Sequence, residues 1–445
     1  MPKPWRHQRD VLSDLVIGHF LLLWEMGTGK TAALILAGAA VGGRGLWLSP
    51  AVLLEQAAAE IQRWRPGATV QIIRNGRERV RDDVDLVLCS YDFMRRLPVW
   101  RQLYAAHWDS CVCDEGHALA HSTSMRTQAF YGARDDSRGA LFRRCDRVWI
   151  ATGTPIMNSP DELHPHLSRL FPHLIPDLTR KQDFLGRFCV LVRKTFGDVV
   201  VGGRNLRELG EILRACSSRV KLDDVTDLPP LIADTISVTI DKKDRGAIEA
   251  SIPDTMRRDL HVVLTQIEGG IDAAWQRLNA MLLPLASTRR LMALAKAEAA
   301  AQLVMQELNG GADRIVLFGL HIDALKYVAR KCESQTPLLM IGDTPLQTRQ
   351  SQIDAFTAGT SRLLIASVKL AGFGLNLQAG RRCIFLETEW TPAAYDQAVA
   401  RLYRAGQSRS VHASILTVSN SIDARVAEVL RRKRVVVQEI MGDAA

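Results

Sequence analysis

Runs of consecutive apolar residues alternate with stretches whose apolar positions recur every three to four residues, and this alternation occupies both ends of the chain. In the first ~155 residues, Phe20–Trp24, Gly45–Leu48, Asp85–Cys89, Ser110–Cys113 and Arg147–Ala151 read as strands. Their unbroken apolar character predicts a parallel sheet covered on both faces, which has no wet side to alternate for. Between them, Leu53, Leu54, Ala57, Ile61 and Trp64 fall on one stripe, predicting a helix over Leu53–Trp64. From Asp161 to about Asn309 the alternation stops. That stretch reads as helical and Arg-rich, broken by Gly202-Gly203 and by Leu228-Pro229-Pro230, whose proline pair marks a boundary or linker. A second alternating block follows, with strands expected at Arg314–Phe318, Pro337–Ile341, Arg362–Ala366, Arg382–Leu386 and Ser414–Val418. Helices are expected at Ile322–Lys331 and Thr391–Tyr403. The class is therefore α/β: two blocks with parallel sheets, residues 1–160 and 310–445, separated by a helical insertion at 161–309.

At 445 residues the chain exceeds what one core supports, in agreement with two blocks. A content of 47% hydrophobic and 24% charged residues excludes a disordered chain. The longest apolar run, Phe20–Trp24, is too short to span a bilayer, and the start MPKPWRHQRD carries no apolar signal segment. The expectation is a cytosolic or nuclear protein with no membrane partner. Cys89, Cys111, Cys113, Cys145, Cys189, Cys216, Cys332 and Cys383 form no CxxC pair, so they read as reduced core thiols and not as a zinc or disulfide framework. A net charge of +9 points to a polyanionic partner. The individual clusters Arg143-Arg144, Arg289-Arg290, Arg381-Arg382 and Arg431-Arg432-Lys433-Arg434 read as solvated helix faces, so only the overall bias carries that inference.

Two segments carry chemistry. Leu21 to Thr31 is an apolar strand entering a glycine turn and then a helix. Gly27, Thr28 and Gly29 would let backbone amides approach phosphates, Lys30 would reach the β- and γ-phosphates, and Thr31 would ligate Mg²⁺. The usual glycine five residues before Gly29 is replaced by Trp24. Val112 to His117 ends a second strand in Asp114 and Glu115, one acid for the Mg²⁺ shell and one to orient an attacking water. ATP and Mg²⁺ are the cofactors this pairing predicts. Trp47, Trp64 and Trp149 read as core, and His164, His166 and His321 have no ligand at a helpful spacing in sequence.

In order along the chain, these segments resemble the motifs of superfamily 2 helicases, and within them the Swi/Snf-like DNA translocases. Pro4-Trp5-Arg6-His7-Gln8 is similar to the adenine-reading segment, with Gln8 as reader; Glu25 to Thr31 resembles motif I, with Trp24 in place of an acid. Asp114-Glu115-Gly116-His117 is similar to the DEAH-type box with Gly for Ala, and Thr152-Gly153-Thr154-Pro155 to motif III, the coupling motif. Arg219-Val220-Lys221 with Leu228-Pro229-Pro230 resembles the inter-lobe segment. Lys369 to Gln378 resembles motif V, Glu389-Trp390-Thr391-Pro392 the turn before motif VI, and Gln397 to Gln407 motif VI.

The resemblance implies two RecA-like lobes and an ATP hydrolase stimulated by double-stranded DNA, which translocates on the duplex and remodels bound proteins or branched structures. It implies a monomer in the cytoplasm of a bacterial or phage-infected cell. Gly374 would join the nucleotide-binding set, Thr152, Thr154 and Gln397 would couple hydrolysis to movement, and Arg401 and Arg404, three apart on an expected helix, would complete the phosphate site from the second lobe. Ser49, Ser90, Ser367, Lys369 and Trp390 would contact nucleic acid. Two alternatives stay open: a strand-unwinding or annealing helicase on DNA or RNA, and a scaffold that binds nucleic acid without hydrolysis.

Overall fold

The computed structural model describes residues 2–132, 139–157, 159–194, 197–251, 286–373, 375–387, 392–419, 421 and 438–442. They form two compact units, one of residues 1–226 with 436–445 and one of residues 227–435.

The first unit is built on a seven-stranded parallel sheet. Its strands are β1 (Phe20–Leu22), β2 (Gly45–Ser49), β3 (Val70–Ile72), β4 (Leu86–Ser90), β5 (Ser110–Asp114), β6 (Val148–Ala151) and, after the antiparallel hairpin β7 (Cys189–Lys194) and β8 (Gly197–Gly203), β9 (Ser217–Ser218). The order across the sheet is β3-β4-β2-β5-β6-β1-β9. Successive residues feed opposite cores. Leu46, Leu48, Cys111, Cys113, Val148 and Ile150 pack on one face, while Trp47, Val112, Trp149 and Ala151 pack on the other. That two-sided burial is why these strands appear as continuous apolar runs.

The second unit repeats the scheme with six parallel strands: β10 (Leu231–Val238), β11 (Ile315–Gly319), β12 (Leu338–Met340), β13 (Leu363–Ser367), β14 (Arg382–Phe385) and β15 (Val411–Val418), in the order β10-β15-β14-β11-β13-β12. Val316 and Phe318 face one core, Ile315 and Leu317 the other. The two sheets form two RecA-like lobes.

The stretch read as one helical insertion is divided. Residues 161–226 belong to the first unit and 227–309 to the second, and the division falls just before the proline pair. That stretch also holds strands. The two-residue β9 is too short to show a period, the hairpin β7–β8 stands apart from both large sheets, and β10 is a sheet-edge strand with Leu231, Ile232 and Asp234 exposed, so its pattern is not that of a buried strand. The chain's end returns to the first unit: Ile440 and Met441 are buried in its core, and the Ile440 carbonyl lies so close to Gly210 that a β-carbon there would strike it. Most of the expected C-terminal helix, Ile422 to Ile440, with Arg431 to Arg434, lies outside the described residues.

All eight cysteines are buried free thiols, and Trp47, Trp64 and Trp149 are core. Among the described residues no helix is long and apolar enough to cross a membrane. Of the arginine pairs read as solvated faces, Arg382 is different. It is 9% exposed on β14, with Nε 2.7 Å from Glu307 Oε2, Nη2 2.7 Å from Glu307 Oε1, and Nη1 donating to Ser414 Oγ at 2.6 Å. A guanidinium so placed is tolerable only because its donors are met. Arg382→Ala is expected to destabilise the second lobe by about 3–5 kcal/mol, since Glu307 is left with an unpaired charge; urea unfolding followed by circular dichroism checks it.

Candidate nucleotide and nucleic-acid site

Every strand of the first sheet points the same way, so the segments after β1, β5 and β6 meet on one edge, where open parallel sheets bind ligands. After β1 the chain turns through Gly27 (φ 82°) and Gly29 (φ 79°) into the helix Lys30–Val41. Only glycine adopts such angles without strain. Gly29 is doubly constrained, because a β-carbon there would run into the amide of Gln8. The loop's carbonyls are held by side chains: Thr28 Oγ1 donates to Glu25 O (2.7 Å), and Lys30 Nζ to Trp24 O (2.9 Å) and Glu25 O (3.0 Å). Gln8 Nε2 donates to Gly29 O (3.1 Å), and His7 Nε2 lies 2.9 Å from Thr28 O. Gln8 is 3% exposed, and its Oε1 accepts from the Trp5 amide (2.8 Å), so both ends of its carboxamide are engaged.

Trp24, which stands where an acid is usual, is fully buried. Its Nε1 donates to Ser218 Oγ on β9 (2.9 Å), and its ring meets His7 edge-on at 4.8 Å. Glu25 beside it accepts from Arg219 Nη2 (3.0 Å) and from the Leu222 amide (3.0 Å), while Arg219 Nη1 donates to Leu23 O (2.9 Å). The segment resembling the inter-lobe block is thus zipped to the strand and loop of motif I, a link that spacing across nearly 200 residues could not reveal.

Asp114 ends β5 and Glu115 follows it. Burial pushes the Asp114 carboxyl up to about 7, the charge of Glu115 adds to the rise, and the nearby Lys30 ammonium opposes it. Glu115 takes a left-handed backbone (φ 51°), its Oε2 3.3 Å from His117 Nδ1. The same nitrogen lies 3.4 Å from Thr152 Oγ1, which accepts from the Thr154 amide (3.1 Å). His117 therefore connects the acidic pair to the Thr152–Thr154 segment. Gly116 stands against Ile150, and a β-carbon would press into its side chain, which accounts for Gly where Ala is usual.

The expected phosphate-contact serines are buried. Ser90 Oγ caps the helix Tyr91–Met94 by accepting from the Phe93 amide (3.1 Å), and Ser49 Oγ donates to Pro50 O (3.3 Å). Tyr91 Oη donates to Asp114 O (2.9 Å), tying that loop to the acidic pair.

In the second lobe, Ser367 ends β13 and is buried, and Lys369 is exposed on the following turn. Gln397 lies on the helix Pro392–Val399. That helix stops before Arg401 and Arg404, which sit in turns and not on one helical face. The Arg401 carbonyl accepts from Leu377 N (3.0 Å), so it is taken by motif V, and Gln407 Nε2 donates to Leu402 O (3.1 Å) and Gln378 O (3.0 Å). Gln378 Nε2 in turn donates to Ala405 O (3.0 Å). Motifs V and VI are thereby locked together. Gly374 and Trp390 lie outside the described residues. His321, which spacing left without a ligand, has Nδ1 2.5 Å from Glu387 Oε1.

The donor set fits a nucleotide and Mg²⁺: left-handed glycines, a lysine opening the helix that follows them, and two acids whose mutual repulsion a divalent cation would relieve. Gly116→Ala is expected to cost about 1–3 kcal/mol through overpacking against Ile150, read as a lower midpoint in chemical denaturation.

The SNF2-related domain matches residues 17–286, and the Helicase conserved C-terminal domain matches 295–406. The chain is 26% identical to a SWI/SNF-related matrix-associated actin-dependent regulator of chromatin subfamily A-like protein 1 of Xenopus tropicalis, over 96% of this chain and 44% of that protein. It is 24% identical to the DNA annealing helicase and endonuclease ZRANB3 of Bos taurus, over 94% of this chain and 38% of that protein. The chain thus spans less than half the length of these relatives. A Sulfolobus solfataricus SWI2/SNF2 ATPase core in complex with dsDNA aligns with a TM-score of 0.46 and 20% identity, covering 99% of this chain and 94% of that one. With a domain match across more than half its length, the chain belongs to the SNF2-related family.

Proposed function

We propose that this chain is an ATP-driven translocase on double-stranded DNA. The observation that carries the reading is the single carboxyl edge on which the glycine loop, Lys30, the Asp114–Glu115 pair and the Thr152–Thr154 segment converge. Gly27 to Gly29 and Lys30 would hold the β- and γ-phosphates, and Thr31 and Asp114 would hold Mg²⁺, which neutralises charge building on the transferred phosphoryl group. Glu115 orients the attacking water and takes up its proton. His117, within reach of both Glu115 Oε2 and Thr152 Oγ1, relays a change at the acidic pair to the Thr152–Thr154 turn. The excess of +9 and the relatives named for DNA work support a polyanionic duplex as the track.

Lys30→Ala or Glu115→Gln is expected to abolish turnover while duplex binding stays within about threefold, measured by phosphate release and by anisotropy. Hydrolysis unchanged in either variant would remove the assignment. Phosphate release compared with duplex DNA, single-stranded DNA and RNA identifies the track. Triplex displacement without unwinding of a tailed duplex supports translocation; vigorous unwinding without triplex displacement moves the reading to a helicase.

A further inference from the structure

Glu115 holds a backbone conformation that its residue type avoids. Its φ is 51° and its ψ 50°, in the left-handed region. A residue with a β-carbon stays there only where its surroundings hold it.

The hold is on the peptide that joins Asp114 to Glu115. That peptide is planar, and its rotation about the Glu115 N–Cα bond is φ itself, so whatever grips its two polar atoms sets the angle. Both atoms are gripped. The Glu115 amide donates to Asp114 Oδ1 (3.1 Å), and the Asp114 carbonyl accepts from Tyr91 Oη (2.9 Å). The first bond is made within the acidic pair; the second comes from another strand's exit. Further along, Glu115 Oε2 lies 3.3 Å from His117 Nδ1, so the side chain is steered from one side and the backbone from the other.

Tyr91 reaches that carbonyl from some distance. It opens the short helix Tyr91–Met94 after β4, and the sheet order β4-β2-β5 leaves one strand between its backbone and Asp114. Two strand spacings, about 10 Å, therefore separate the two exits. Tyr91 is 2% exposed and shares a core with Cys111, Cys113 and Tyr131. A lysine or arginine of similar reach would bury a charge there, whereas a phenol is neutral and rigid and ends in a donor. Its root is fixed as well, because Ser90 Oγ caps the helix by accepting from the Phe93 amide (3.1 Å).

We propose that Tyr91 is a positioning residue for hydrolysis. Its hydroxyl holds the Asp114 carbonyl and so keeps Glu115 in the left-handed conformation from which its carboxylate addresses the attacking water. The inference rests on the reading of Glu115 as the group that orients that water. Without the hydroxyl, the peptide is released on its carbonyl side and Glu115 relaxes towards ordinary angles, carrying its carboxylate out of line. The glycine loop and Lys30 follow β1 and do not share this tie, so nucleotide binding lies outside its reach.

The test compares the unaltered full chain with Tyr91→Phe, which removes one oxygen and keeps the ring, with Glu115→Gln, and with the two combined. Phosphate release gives kcat and KM for ATP, long single-turnover reactions reach the slowest variants, and circular dichroism follows folding. Tyr91→Phe is expected to lower kcat about tenfold with KM for ATP within about twofold, since misplacing a reacting group costs rate and not ground-state binding. Added to Glu115→Gln, it is expected to change the single-turnover rate by less than about twofold, because a residue that acts through another has nothing left to act on. A merely structural tyrosine would slow both backgrounds by the same factor. That result overturns the inference and leaves the reading of Glu115 standing. So does an unchanged kcat in Tyr91→Phe, a raised KM with kcat unchanged, or a loss of rate matched by loss of folded protein. Hydrolysis by Glu115→Gln at the unaltered rate overturns both.

Discussion

The carbonyl oxygens of the glycine loop are the fixed points of the first lobe's chemistry. Thr28, Lys30, Gln8 and His7 all direct their side chains to carbonyls between Trp24 and Gly29. Fixing that side of the loop while Gly27 and Gly29 take left-handed angles turns the backbone for anion binding, where the amides and the start of the helix Lys30–Val41 are the useful groups. The arrangement has no slack. Gln8 fits only because Gly29 has no side chain, and the same Gln8 is held from behind by the Trp5 amide.

Around that loop, the first lobe forms one connected set of polar ties. One runs from Trp24 and Glu25 to Ser218, Arg219 and Leu222; another runs from Glu115 through His117 to Thr152; a third runs from Tyr91 to Asp114. The substitution of Trp for an acid before motif I fits this scheme. A buried carboxylate at position 24 would need a cation there, whereas an indole fills the core and needs only the one acceptor that Ser218 supplies.

Much of this was legible in the chain itself. Strands buried on both faces announce themselves as short apolar runs, and the glycine loop and acidic pair follow such runs, so β1, β2, β4, β5, β6 and their counterparts after residue 310 could be placed from pattern alone. What escaped had a physical reason in each case. β9 spans two residues, and β10 lies open at a sheet edge, so neither carries a burial rhythm. Arg401 and Arg404 read as helical because apolar spacing cannot register that Leu377 claims the Arg401 carbonyl, which a continuing helix would need. The pairs Glu25–Arg219, Arg382–Glu307 and His321–Glu387 each join residues at least 66 positions apart, and no local rule links them.

The burial of Ile440 and Met441 in the first lobe has a topological consequence. The second lobe is spliced into the first as an excursion, since the polypeptide leaves after residue 226 and Ile440 and Met441 lie again in the first core. Two covalent tethers join the units, in place of the single leash that joins domains arranged in series. Loss of the chain's last residues would therefore strip buried side chains from the first unit's core and not from the second's.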